Sequence, residues 1–210
     1  HAGPGMDVAV LELPYIFGVQ PGRRPVWVFL ARMLRSMKCV VFYPAGGTAA
    51  VTVRQVGEAA AGALETNRGG CVYPLGMANL TWKKMLADFQ VGMGLPRRKV
   101  VTVPVWAFAL VGTVMQWQKK RRGLEGGLNL PQFARAMSRE MYIQPEEGAS
   151  LLGVAPDDIE AAIAQSARAS ADALEGRARL VGMQGKRANP LRGPSTQGRP
   201  ASPRAGRPVL

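Results

Sequence analysis

The chain has 210 residues, 47% of them hydrophobic, which is enough to bury a core and excludes a protein disordered throughout. Its formal net charge is +13, and residues 186–210 hold six Lys/Arg and no Asp/Glu. Two cysteines at no metal-ligand spacing and one histidine, at position 1, exclude a zinc site and a Cys/His nucleophile pair.

Cys39 and Cys71 read instead as small buried hydrophobes in a reducing compartment, which points to the cytoplasm. No charged segment followed by an apolar one opens the chain, and residue 1 is His1, so the sequence reads as part of a longer protein.

In chain order, residues 7–13 (DVAVLEL) form a short apolar run, predicting a parallel-sheet strand buried on both faces. Pro14 and Gly18 then punctuate the chain. From Arg24, RPVWVFLARMLRSMK places Trp27, Leu30, Leu34 and Met37 on one helical face and Arg32, Arg35 and Lys38 elsewhere. Residues 39–53 (CVVFYPAGGTAAVTV) read as two short strands around a Gly46-Gly47 turn, running into a small-residue helix that ends near Glu65. Cys71–Leu75 is one more strand. Thr81 is placed to cap a helix with Met85, Leu86, Phe89 and Met93 at helical spacing. This alternation predicts an α/β fold.

Residues 100–117 (VVTVPVWAFALVGTVMQW) are uncharged and flanked by RRK and KKRR. Pro104 leaves about thirteen residues for a helix, roughly 20 Å, against a hydrocarbon core of about 30 Å. A buried or dimer-facing helix is therefore favoured over peripheral membrane contact, and both over a span. A loop and two helices follow, the second opening at Pro156-Asp157-Asp158 with acids at the positive end of its dipole. Ile159 and Ile163 anchor a mostly alanine face that needs a surface to pack on. The last 25 residues are basic and Pro/Gly/Ser-rich, a composition that predicts a disordered tail. No aromatic is interleaved there to stack on bases, so no specific nucleic-acid partner is expected.

The sequence carries no GxxxxGK[ST], HExxH or GxSxG, and no evident acid/base carboxylate pair. Gly182, Gly185 and Ala188 match G-x-x-G-x-x-A but run into Asn189-Pro190, where no helix can begin to hold a pyrophosphate. No catalytic residue and no metal ligand is assigned.

Three segments carry a family likeness. VAVLELPYIFGVQPGR resembles the strand after the catalytic helix of NAD(P)-dependent epimerase/dehydratase proteins (extended short-chain dehydrogenases/reductases). FYPAGGTAAVTVRQVGEAAAGALE and GGCVYPLGMANLTWKKMLADFQVGMGLP resemble that family's next two motifs, in the same order. The likeness covers residues 5–110, and 127–162 correspond to the family's variable substrate-side region.

The resemblance implies the C-terminal part of a Rossmann-like NAD(P)-binding fold, residues 1–125. A mainly helical substrate-side region, 126–180, and a disordered basic tail, 181–210, complete it. It also implies that a Gly-rich half with a Tyr-x-x-x-Lys pair stands before it, because no tyrosine here is followed four residues on by lysine. By the same resemblance, Pro14 and Tyr15 meet the nicotinamide end of NAD or NADP. Gly18, Gln20, Arg23 and Arg24 face a small-molecule substrate, the arginines suiting an anionic or polyol one.

Two departures stand out: Leu13 replaces the arginine usual before the proline, and Gln55 replaces the aspartate that fixes the strand–helix junction. The expected activity is hydride transfer at a hydroxyl or carbonyl carbon of a sugar nucleotide or small alcohol or ketone. This piece is expected to be inactive by itself and to form a homodimer or associate through an open strand edge. The competing reading is a non-catalytic, membrane-associated or scaffold protein that uses basic amphipathic helices for weak peripheral membrane contact.

Overall fold

The computed structural model describes residues 7–67, 70–121, 129–144 and 146–178. The basic tail and the Gly182, Gly185, Ala188 pattern lie outside the described residues. The described residues belong to one compact unit.

The central strand is β4 (Gly47–Thr52), all six of whose residues are buried. It pairs in parallel with β2 (Tyr15–Phe17) and antiparallel with β6 (Ala78–Thr81), and β8 (Glu140–Met141) pairs with it near its start. Alternation along β4 sends Ala50 into one hydrophobic cluster and Val51 into the other. The first cluster joins Phe17, Trp27, Leu34, Trp82, Phe89 and Ile163. These come from β2, the α1 region (Val28–Ser36), α3 (Trp82–Gly92) and α7 (Ile159–Leu174). The second joins Ala59, Ala63, Tyr73, Leu75 and Leu152, beneath α2 (Val53–Thr66) and α6 (Glu146–Leu151).

Local chemistry accounts for the helix ends. The Thr81 hydroxyl accepts from the Lys84 N–H, and an Asp158 carboxylate oxygen accepts from the Ala161 N–H. The alanine-faced α7 finds its surface on α3 and α1. Gly92 permits that approach, since a Cβ there would stand 2.8 Å from both Ala164 Cα and Ala167 Cβ. The C-terminal part holds more than two helices. Between α4 (Val105–Arg121) and α7 lie α5 (Leu130–Met137), β8 and α6.

Several sequence expectations change. The strand within 7–13 is β1 (Val10–Glu12), paired in parallel with β5 (Val72–Pro74), but it is not buried on both faces: Val10 is 47% exposed. A Val/Leu run reports affinity for a sheet, and only the neighbouring elements decide how many faces are covered; here the doubly buried strand is β4. The two strands around Gly46-Gly47 do not pair with each other. β3 (Val41–Pro44) pairs instead with β7 (Val100–Val103). The glycines serve close approach, because a Cβ on Gly46 would lie 2.6 Å from the Arg139 carbonyl oxygen and one on Gly47 2.4 Å from that of Leu80.

Cys39 and Cys71 are exposed and form no disulfide, rather than being buried hydrophobes. Cys39 sits in the link from α1 to β3 and Cys71 just before β5, an element covered on few sides. Helix α4 is not buried either: Trp106, Leu110 and Trp117 are more than half exposed. Among the described residues no helix is long and apolar enough to cross a membrane.

Candidate substrate cleft

Strands β2 and β4 run in parallel and end together, Phe17 opposite Thr52. Beyond Phe17 the chain turns at Gly18, whose φ of +135° belongs to a region that L side chains rarely adopt. A Cβ there would also stand 2.8 Å from Val53 Cγ2. Ser166 of α7 grips this glycine from both sides: its Oγ accepts from the Gly18 N–H at 2.7 Å and donates to the Gly18 carbonyl at 3.1 Å.

The loop then folds back on itself. The Arg23 N–H donates to the Gln20 carbonyl at 3.3 Å, with Gly22 at a φ of +78° between them. Its far end is tied to β2 by Trp27, whose indole N–H donates to the Ile16 carbonyl at 3.0 Å. Trp27 also stacks on Phe17 with centroids 4.7 Å apart, a contact worth about 0.5–1.5 kcal/mol beyond its burial.

This clasp encloses a cleft of about 310 Å³ at the carboxyl ends of the two strands. Gly18, Gln20, Arg23 and Arg24 all line it, with apolar walls from Ile16, Val19, Pro25, Val26, Trp27 and Val53. Among the described residues no carboxylate lines it, and two exposed cationic side chains, Arg23 and Arg24, stand at its mouth. The geometry suits a ligand with an anionic group at the mouth and a less polar part against the walls. A larger depression of about 530 Å³, edged by Lys83, Arg97 and Lys99, lies at the amino end of β7. The carboxyl edge is where open parallel sheets place ligands, and this favours the smaller cleft.

Pro14 and Tyr15 are not among the cleft-lining residues. The Tyr15 ring meets Trp27 and Trp82 edge-on at 5.2 and 5.4 Å, and its hydroxyl donates to Met137 Sδ at 3.5 Å. Burial pushes the phenols of Tyr15 and Tyr43 above their ordinary value, and at Tyr43 the nearby Tyr15 adds to this. Both are neutral hydroxyls at physiological pH, held in an aromatic cluster.

The residues present do not cradle a whole dinucleotide. The N-terminus of α2, which opens toward the cleft, is closed by its own side chains: the Thr52 hydroxyl accepts from the Gln55 N–H, and Gln55 Oε1 accepts from the Thr52 N–H at 3.0 Å. Among the described residues no cluster of His, Cys, Asp and Glu could hold a metal ion.

That same junction holds a group the sequence reading did not place. The Thr52 hydroxyl donates to Asp157 Oδ2 at 2.6 Å, and Arg54 Nε lies 3.0 Å from the same oxygen. Gln55 Nε2 donates to the Ala155 carbonyl at 3.1 Å. The β4–α2 junction thus holds a carboxylate, Asp157, beside Gln55. Hydrogen bonds from Arg54 and Thr52 lower its pKa to about 2. The sequence signal was the doubled Asp157-Asp158: one acid caps α7, and the other was left for a different task.

No family model and no curated protein sequence matches the chain. Solved structures do. A nucleoside-diphosphate-sugar epimerase from Pseudomonas aeruginosa superposes with a TM-score of 0.54 at 14% identity, over 82% of this chain and 50% of that one. UDP-glucose 4-epimerase from Bifidobacterium longum, solved with NAD+ and UDP, gives 0.51 at 12% identity, over 83% of this chain and 50% of that one. The chain spans about half the length of these structures. Over that half it has the partial Rossmann-like α/β fold of epimerase/dehydratase proteins.

Proposed function

We propose that this chain is the substrate-side half of an NAD(P)-dependent oxidoreductase, epimerase or dehydratase. Its substrate is a sugar nucleotide or a small alcohol or ketone, and it works in the cytoplasm. The observation that carries the reading is the cleft at the paired carboxyl ends of β2 and β4, into which Gly18, Gln20, Arg23 and Arg24 converge.

Arg23 and Arg24 hold the anionic part of the substrate, with Arg24 offering a planar fork that matches a phosphate. Gln20 supplies a neutral hydrogen-bonding group. Gly18, fixed by Ser166, keeps the lip of the cleft open where any side chain would meet Val53. The backbone at Pro14 and Tyr15 is where the nicotinamide end approaches. An NAD(P) cofactor there would supply hydride transfer at the reacting carbon, with most of its binding groups lying outside the residues described. The proton-transferring pair comes from residues outside this chain, since the phenols of Tyr15 and Tyr43 are engaged inward and held neutral.

Titration of the chain with UDP, followed by amide NMR, tests this. The expected result is perturbation of residues 18–27 and at least ~10-fold weaker binding for Arg24→Ala, the size of one lost charge-assisted contact. Perturbation confined to residues 97–100, or none anywhere, refutes it.

A further inference from the structure

Helix α4 turns an apolar stripe to solvent. Trp106, Leu110, Val111, Val114 and Trp117 are 72, 58, 57, 46 and 51% exposed. At 3.6 residues per turn these five positions fall within an arc of about 140°. The stripe is not the face the helix uses inside the protein. Phe108 packs against Tyr43 with ring centroids 5.8 Å apart, and α4 also rests on α5 and β3. A contiguous apolar surface of this kind marks an interaction site.

Charge identifies what it meets. Residues 104–124 contain four Lys/Arg and no Asp/Glu, the four cations following the stripe at positions 119–122. The Arg121 guanidinium lies 3.6 Å above the Trp117 ring, so the basic end and the apolar stripe are in direct contact. A second copy docking stripe to stripe in parallel would bring two such sets of cations together. An anionic lipid surface complements them.

Trp106 and Trp117 both lie on the stripe, about 16 Å apart along the axis, and tryptophan on an exposed apolar face suits the headgroup region. No described helix is long and apolar enough to span, which leaves the in-plane arrangement. We propose that α4 docks this protein on anionic membrane, with the stripe in the headgroup–acyl boundary and the basic end of the helix on the headgroups. This goes beyond the oxidoreductase reading and does not depend on it.

The test uses the full chain and phosphatidylcholine vesicles with and without phosphatidylglycerol, read by co-sedimentation and tryptophan emission. The expected result is binding to the phosphatidylglycerol vesicles with a blue shift. A Leu110→Gln/Val114→Gln variant, which keeps every charge, is expected to bind at least ~10-fold more weakly, the order set by burying two aliphatic side chains. Quenching of wild-type tryptophan by lipids brominated on the acyl chain reads insertion directly, and decides the matter if the double variant does not fold.

Three results would overturn the proposal. One is equal binding by variant and wild type, which would assign binding to charge in the tail. Another is no vesicle binding or no quenching. The last is a lipid-free dimer that the same variant dissociates, which would give the stripe to a second copy.

Discussion

Ser166 offers the sharpest test of how the cleft is held. It is fully buried in α7, and its hydroxyl makes both contacts to Gly18, 148 residues away in sequence. In Ser166→Ala the Gly18 N–H loses its acceptor inside the protein, a cost of about 1–3 kcal/mol. Improved helix propensity returns at most ~0.5 kcal/mol, so the net loss should be about 1–2 kcal/mol or somewhat more.

Ser170 is the internal control. It is equally buried one turn along, but its hydroxyl donates only to the Ser166 carbonyl of its own helix, at 2.7 Å. That carbonyl keeps its helical N–H partner, so Ser170→Ala should fall within about 0.5 kcal/mol of wild type. Urea unfolding followed by circular dichroism and tryptophan fluorescence measures both. Amide exchange at Gly18 should quicken in the first variant alone. Equal losses in the two variants, or an unchanged midpoint for Ser166→Ala, would show that the cross-element contact does not hold the loop.

Asp157 makes stability fall with acid. Its folded pKa is depressed to about 2, so its contribution is complete above the ordinary carboxylate value of about 3.9 and is lost as pH drops from there toward 2. In acid titrations of the folded protein, Asp157→Asn should remove that part of the slope. In α2, Gly62→Ala should destabilise by about 1–3 kcal/mol, since its Cβ would lie 2.1 Å from the Leu152 carbonyl oxygen. Gly57→Ala, with open space around it, should stabilise by about 0.5–1 kcal/mol, and thermal melts compare the two. The β1 edge should drive self-association, and Val10→Lys should shift sedimentation velocity toward the monomer.

The family resemblance singled out Gly18, Gln20, Arg23 and Arg24, which lie within seven positions, and these four residues line one cleft. Tyr15 shows where such reading stops, because a strand residue faces one side or the other according to register, and here its ring joins the aromatic cluster. Ser166 carried no local signal, and the doubled acid at Asp157 gave no hint of its partner. Ser166 reads as one more small residue in an alanine helix and Asp157 as a helix-start acid. Their partners stand 148 and 105 residues away.

Hydrophobic periodicity and capping residues by themselves determined where α1, α2, α3 and α7 would form, because these depend on neighbours within a turn. They also marked strands at β1 and β5, and the likeness of three ordered motifs pointed to the fold that the solved epimerases share. Tertiary structure alone decided which strand is central, how β3 and β4 separate into different pairings, and that both cysteines and the α4 stripe face solvent. Those outcomes depend on which surfaces meet across long sequence separations. An apolar run has the same composition whether its second face is covered or open.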